Sequence, residues 1–312
     1  MPKKNDDQGR LRVGFIGLGM MGLPMVQALA KTDRFEILAF DKDEKPFNTL
    51  RTNPAWAQNL HRATSLAALK TATIIITMLP NSTITNEVMI GQGGLIEHVS
   101  DHMIVIDMGS SNPQDTVRLG AEIAARGGIL LDAPVSGAVA KANAGTLTIM
   151  VGGPEQAIEA ARPVLEAMSS QILPTGALGS AHAMKALNNY VYAAGLLAVS
   201  EATVIASVMG LDLARFNAVL NASSGRNIAS ETKLSQFIIS RDYAGGFALR
   251  LQAKDLDTAA NLQALTGVPT PLLTLCDTIW NKAVGALPPD ADNTEIHRYI
   301  EQLSHITAKQ EL

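Results

Sequence analysis

Residues 13–22 read VGFIGLGMMG. The apolar run Val13–Ile16 leads into three glycines, Gly17, Gly19 and Gly22, spaced G-x-G-x-x-G. A strand that enters such a turn and leaves it as a helix is the opening of a parallel α/β fold that binds a dinucleotide. Gly17 suits the tight turn, Gly19 lets the backbone approach a pyrophosphate, and Gly22 lets the helix pack close to the strand. A helix starting near Met20 would point free N–H groups at the phosphates, which brings Leu18, Met20 and Met21 into the same cradle. Pro24 falls in its first turn, where proline is tolerated.

The stretches around this motif carry the same pattern onward. RVGFIG (12–17), EILAF (36–40), TIIITML (73–79), MIVIDM (103–108), GILLD (128–132) and LTIMVGG (147–153) are almost continuously apolar. Continuous apolarity marks strands covered on both faces. Helical spacing occupies 20–31, 44–51, 113–126 and 154–168 between them. Alternating strand and helix predict a parallel sheet with helices on both sides. The second strand ends in FDKD and sets Asp41 nineteen residues after Gly22. A carboxylate there accepts hydrogen bonds from a ribose diol and repels a 2′-phosphate, so the expected cofactor is NAD, with NADP as the alternative because Lys42 sits beside Asp41.

From about residue 179 the pattern is helical only. GSAHAMKALNNYVYAAGLLAVSEATVIASVM (179–209) is one long run ending at Gly210, and further helices are expected at 212–222, 230–239, 252–266, 270–284 and 293–309. The predicted organisation is a Rossmann-type α/β domain over 11–175 followed by an all-α domain over 176–312, with the long helix starting at the junction.

Composition narrows the class. The chain has 312 residues, 47% hydrophobic and 17% charged, which is ordinary for a folded domain pair. A net charge of −4 without a basic field argues against a nucleic-acid partner. One cysteine, Cys276, excludes an intrachain disulfide and fits a reducing, cytoplasmic setting. The N-terminal MPKKNDDQGR lacks the apolar core of a secretory signal, and runs such as TIIITML are too short to cross a membrane, so no membrane association is expected. His98 and His102 are four apart but lack a third ligand, so no metal is expected. No G-x-S-x-G elbow, zinc pattern or P-loop lysine occurs.

Four motifs together resemble the β-hydroxyacid dehydrogenases: GFIGLGMMGLPM (14–25), DAPVSGAVAKANAGTLTIMVGG (132–153), GSAHAMKALNN (179–189) and AKDLDTAAN (253–261). That family includes 3-hydroxyisobutyrate dehydrogenase and tartronate semialdehyde reductase, with 6-phosphogluconate dehydrogenase as a distant relative. The resemblance covers about 11–305. It implies a 6-phosphogluconate dehydrogenase-like architecture, an active site in the interdomain cleft, and homodimers or homotetramers built on the helical domains. It further implies that Lys185 is the catalytic lysine, Asn189 its partner, and Ser136 and Gly137 the holders of the substrate carboxylate. Leu79, Pro80 and Asn81 would line the cofactor groove, with Ser110 beside the nicotinamide and Lys254 on the cofactor side. Two positions depart from the family pattern: Ala138 and Ala181 stand where it usually has glycine.

The chemistry explains the residue types. A lysine on an apolar helix face loses proton affinity through burial, so it can take a hydroxyl proton or return it. Asn189, at i+4, shares its face. Ser136 and the Gly137 N–H offer a carboxylate donors without a competing charge. Each residue also has a plainer reading. Lys185 could snorkel to water, Ser136 could be a turn residue, Lys254 a surface lysine, Asn188 a local cap and His182 structural. The expected activity is an NAD(P)-dependent interconversion of a small 3-hydroxy acid and its semialdehyde. The alternatives are a tartronate, glyoxylate or succinic semialdehyde reductase, and a nucleotide-binding regulator without turnover.

Overall fold

The computed structural model describes residues 9–304. They form two compact units, divided between Lys185 and Ala186.

The first unit is built on one sheet of nine strands among the described residues, in the order β3-β2-β1-β4-β5-β6-β8-β7, with β9 beside β8. The strands are β1 (Leu11–Ile16), β2 (Phe35–Phe40), β3 (Leu60–Arg62), β4 (Ile74–Thr77), β5 (Ile104–Asp107), β6 (Ile129–Asp132), β7 (Val135–Ser136), β8 (Leu147–Gly152) and β9 (Ser169–Gly176). Pairs among β1 to β6 are parallel. The helices are α1 (Gly22–Ala30), α2 (Lys45–Leu50), α3 (Ser82–Ile90), α4 (Pro113–Ala124), α5 (Ala138–Ala144) and α6 (Glu155–Glu166). Side chains alternate across the central strands. Ile74 and Ile76 join a core with Phe15, Ile37 and Phe47, whereas Ile75 joins a second core with Leu69, Leu95 and Val105. Two cores, one per face, are why these strands have no polar side.

The structure departs from a purely parallel sheet at one edge. β8 runs antiparallel to β6 and β7, and β9 pairs parallel with β8. β3, β7, β9, α3 and α5 are absent from the sequence expectation. β9, SSQILPTG, is largely exposed and holds Pro174, so it carries no apolar run. β3 is a three-residue edge strand with only Leu60 fully buried. In α3, Thr83, Ile84, Thr85 and Val88 are β-branched and weaken the helical signal.

The second unit is all helical. α7 (Ser180–Val208) enters it from the first; α8 (Leu213–Ala222), α9 (Leu249–Thr266), α10 (Pro271–Ala286) and α11 (Ile296–Leu303) follow. Residues Ser230–Ile239 wind as a π-helix between α8 and α9, where ordinary helix was expected. The core holds Trp280, Leu196, Leu234, Leu256 and Ile296. A capping box opens the last helical segment: Thr294 N–H donates to Asp292 Oδ1, and Asp292 N–H donates to Glu295 Oε1. The part of the expected 293–309 helix beyond 304 lies outside the described residues. One membrane expectation needs correction. α7 has 29 residues and is long and apolar enough to cross a bilayer by length and composition. The span comes from the 179–209 run, in which only Lys185 and Glu201 are charged, whereas TIIITML is a strand-length stretch.

Candidate active site

Parallel strands deliver their carboxyl ends to one edge of the sheet, and β1 is the point where the order reverses, with β2 on one side and β4 on the other. Crevices at such switch points are where open α/β sheets bind ligands. The loop after β1 is Gly17–Met21, and the loop after β4 is Met78–Asn81. They touch closely. A methyl on Gly17 (φ +98°) would lie 2.4 Å from Met78 O, and one on Gly22 would lie 1.9 Å from Gly17 O. A methyl on Gly19 would meet nothing within 4 Å. Two glycines are therefore dictated by packing, and the third leaves backbone open on the ligand side. That is the shape a pyrophosphate needs, so the residues present fit a dinucleotide.

Asp41 follows β2. Its Oδ2 accepts from Leu18 N at 2.6 Å and its Oδ1 from Asp43 N at 2.8 Å. The predicted ribose acceptor thus also braces the glycine turn, and each oxygen keeps a second lone pair for a ligand. Leu18 is buried, Met20 exposed and Met21 half-buried. Leu79 is half-buried and Pro80 exposed; Asn81 caps α3 by accepting from Ile84 N at 3.0 Å.

The loop after β5 reaches the same place, since a methyl on Gly109 would lie 2.8 Å from Leu79 O. This loop carries Ser110 and hangs on Asp107, which is buried. Asp107 Oδ1 accepts from Thr77 Oγ1 (3.0 Å) and Gly109 N (3.1 Å), and Oδ2 accepts from Ser111 Oγ (2.6 Å). Beyond β6 come Ser136 and Gly137, both half-buried. Gly137 has φ +135° and Ala138 φ +53°.

Lys185 is half-buried on α7, and Asn189 is one turn further along. In the helical unit Asn189 is 6% exposed and held at two points. Its Nδ2 donates to Asp255 Oδ2, and its carbonyl accepts from Gln252 Nε2 at 3.0 Å. Lys254 Nζ lies 3.1 Å from Asp255 Oδ1. One buried carboxylate therefore binds both Asn189 and Lys254.

The sequence profile described as the NAD binding domain of 6-phosphogluconate dehydrogenase matches residues 12–176. A second, described as NAD-binding of NADP-dependent 3-hydroxyisobutyrate dehydrogenase, matches 179–300. The 2-(hydroxymethyl)glutarate dehydrogenase of Eubacterium barkeri is 38% identical over 271 residues, spanning 86% of this chain and 88% of its own. The chain belongs to the β-hydroxyacid dehydrogenase family. An NAD-dependent L-serine dehydrogenase of Pseudomonas aeruginosa is 34% identical, spanning 84% of this chain and 88% of its own. The solved structure of Mycobacterium tuberculosis 3-hydroxyisobutyrate dehydrogenase with L-serine superposes with a TM-score of 0.84 at 29% identity, covering 93% of this chain and 99% of that one.

This β-hydroxyacid dehydrogenase is thus an NAD(P)-dependent oxidoreductase of hydroxy acids and their semialdehydes. The candidate site also includes carboxylates that the motifs do not single out. Asp255 sits in the AKDLD stretch already singled out for Lys254, and a carboxylate adjoining a lysine on a buried helix face was its signal. Asp107 and Asp132 close the apolar strands IVID and ILLD, where a buried charge at a strand end points to loop-holding duty.

Proposed function

We propose that this enzyme oxidises the primary alcohol of a small β-hydroxy carboxylate, HO–CH₂–CH(R)–COO⁻, to the semialdehyde with NAD, and catalyses the reverse reduction. The substrates in the relatives' names share that skeleton. R is methyl in 3-hydroxyisobutyrate, a carboxyethyl arm in 2-(hydroxymethyl)glutarate and an ammonium in serine. The product of a tartronate semialdehyde reductase, with R a hydroxyl, fits the same frame.

The observation that carries this reading is the pairing on α7: Lys185 one helical turn before an Asn189 that Asp255 fixes in place. When bound, the dinucleotide supplies the hydride acceptor and donor. The chain supplies the rest. Lys185 Nζ takes the hydroxyl proton in oxidation and returns it in reduction, and as a cation it stabilises negative charge developing on that oxygen. Asn189 orients the lysine and the substrate. Ser136 and the Gly137 N–H receive the carboxylate. Gly17, Leu18, Gly19, Met20, Met21 and Gly22 hold the pyrophosphate, Asp41 the ribose diol, and Leu79, Pro80, Asn81, Ser110 and Lys254 complete the cofactor groove. We also infer a homodimer or homotetramer in the cytoplasm, supported by the exposed Val191, Ile205, Val208 and Met209 on and just after α7.

The test is a panel of 3-hydroxyisobutyrate, 2-(hydroxymethyl)glutarate, serine and glycerate with NAD and NADP, read by nicotinamide absorbance, beside Lys185→Ala. Turnover should appear on at least one member and fall about 10³-fold in the variant, as expected for losing a proton-transfer group and its charge. Bound nucleotide with no turnover on any member, or near-normal rates in Lys185→Ala, would overturn the reading.

A further inference from the structure

Asp107 and Asp132 close adjacent strands and stand opposite each other in the β5–β6 register. Both are buried, at 2% and 0% exposure. Asp107 holds the Gly109–Ser111 loop. Asp132 holds the start of α7: its Oδ1 accepts from Gly179 N at 2.8 Å and its Oδ2 from His182 N at 2.9 Å. A carboxylate taking the orphan N–H groups of a helix start fixes where that helix begins.

The His182 imidazole, itself 1% exposed, fills the space between these two carboxylates. Nε2 is 3.9 Å from Asp107 Oδ2, and Nδ1 is 3.9 Å from Asp132 Oδ2. Nδ1 is 2.8 Å from Thr116 Oγ1 on the first turn of α4. The Thr116 hydroxyl also lies 3.0 Å from Asn112 O. A carbonyl can only accept, so the hydroxyl proton goes to Asn112 O, and Nδ1–H donates to Thr116 Oγ1. Among the described residues Nε2 has no hydrogen-bond partner, and it faces Asp107. The ring is thereby keyed by one directed bond and bordered by two fixed anions, an arrangement that leaves it little rotational freedom.

We propose that His182 is a positioning residue for the reaction: it locks the first turn of α7 to α4 and to the ends of β5 and β6, so that Lys185, three residues later on the same helix, meets the substrate oxygen at a set distance. The inference rests on Lys185 as the proton-transfer group. Rates fall steeply when such a group moves, by up to about 10²-fold for 1 Å.

Three variants test it at saturating substrate and nucleotide, with dinucleotide affinity measured by fluorescence titration. His182→Phe keeps ring volume but loses both nitrogens. It should bind dinucleotide as the parent does and lose about 10-fold or more in kcat. His182→Asn places an amide donor where Nδ1 stood and should recover most of that loss. Thr116→Val removes the acceptor from outside α7 and should reproduce the kcat loss; it decides the matter if His182→Phe does not fold. The proposal is overturned if Thr116→Val or a folded His182→Phe keeps the parent kcat, or if His182→Asn is no better than His182→Phe. Lys185→Ala separates the two readings. If it retains turnover, the proton-transfer assignment fails and the positioning role falls with it; if it is inactive while the other variants match the parent, only the positioning role fails.

Discussion

Asp41 Oδ2 accepts the Leu18 N–H at 2.6 Å, joining the end of β2 to the glycine turn after β1. With the ribose role proposed above, the carboxylate has two separable duties, shaping the glycine turn and selecting the ribose. Asp41→Asn keeps an oxygen able to accept from Leu18 but drops the charge that repels a 2′-phosphate, so NADP affinity should rise towards that for NAD. Asp41→Ala loses the brace as well and should weaken both dinucleotides by about 10-fold, the scale of one hydrogen bond to a charged group. Fluorescence titration of both variants with both dinucleotides checks this. An unchanged NAD-to-NADP ratio in Asp41→Asn would mean that the carboxylate serves the loop alone.

Asp255 offers a second separation. Its carboxylate takes the Asn189 amide on one oxygen and Lys254 on the other. Asp255→Asn should lower kcat at saturating substrates by about 10-fold or more, since a hydrogen bond to a charged acceptor contributes about 1.5–3 kcal/mol. Lys254→Met leaves the Asn189 bond in place and should weaken dinucleotide binding while sparing kcat. Steady-state kinetics on the pair shows whether the effects divide this way. Equal kcat in Asp255→Asn and the parent would remove Asn189 from the orienting role.

Much of this architecture was legible because burial on both sheet faces forces continuous apolar runs, and Ile74–Ile76 or Ile104–Ile106 display them. The glycine spacing was legible for a similar reason, since a methyl on Gly22 would lie 1.9 Å from Gly17 O and leaves no choice of residue. Edge elements were not. β9 is mostly exposed, so its residues answer to solvent and carry no period. Nor does a sequence reveal which carboxylate reaches which loop. Asp107 and Asp132 read as strand ends, and only the β5–β6 register sets them side by side with His182 between.

Ala138 stands where the family usually has glycine, and it adopts φ +53°. An L-residue in that region is disfavoured by roughly 1–2 kcal/mol, from the approach of Cβ to the backbone. Glycine relieves this strain and gives back part of the gain through its looser unfolded chain. Ala138→Gly should therefore stabilise the protein by about 1 kcal/mol. Chemical denaturation with an unchanged slope is the measurement. A less stable variant would mean that the Ala138 methyl makes contacts outweighing its backbone strain.

Asp277 on α10 sits beside Asp257 on α9, with Asn281 between them. Burial pushes Asp277 up from its ordinary 3.8, the hydrogen bond and charge of Asp257 push the same way, and Asn281 opposes them, leaving Asp277 at about 6. Asn281 Nδ2 spans the pair, donating to Asp257 Oδ1 at 2.9 Å and to Asp277 Oδ1 at 3.1 Å. The folded state thus binds the Asp277 proton more tightly than the unfolded chain. The resulting stabilisation is complete below about pH 3.8 and is lost as pH rises through about 6, where two carboxylates begin to repel each other. Asp277→Asn cannot make that transition. Its Tm should exceed the parent's above pH 6, and the advantage should shrink or reverse towards pH 4. Solvent screening at this half-exposed site keeps the difference small, so thermal melts belong at low ionic strength. Parallel Tm–pH curves for the two proteins would show that the Asp277 carboxyl is not raised in the folded state.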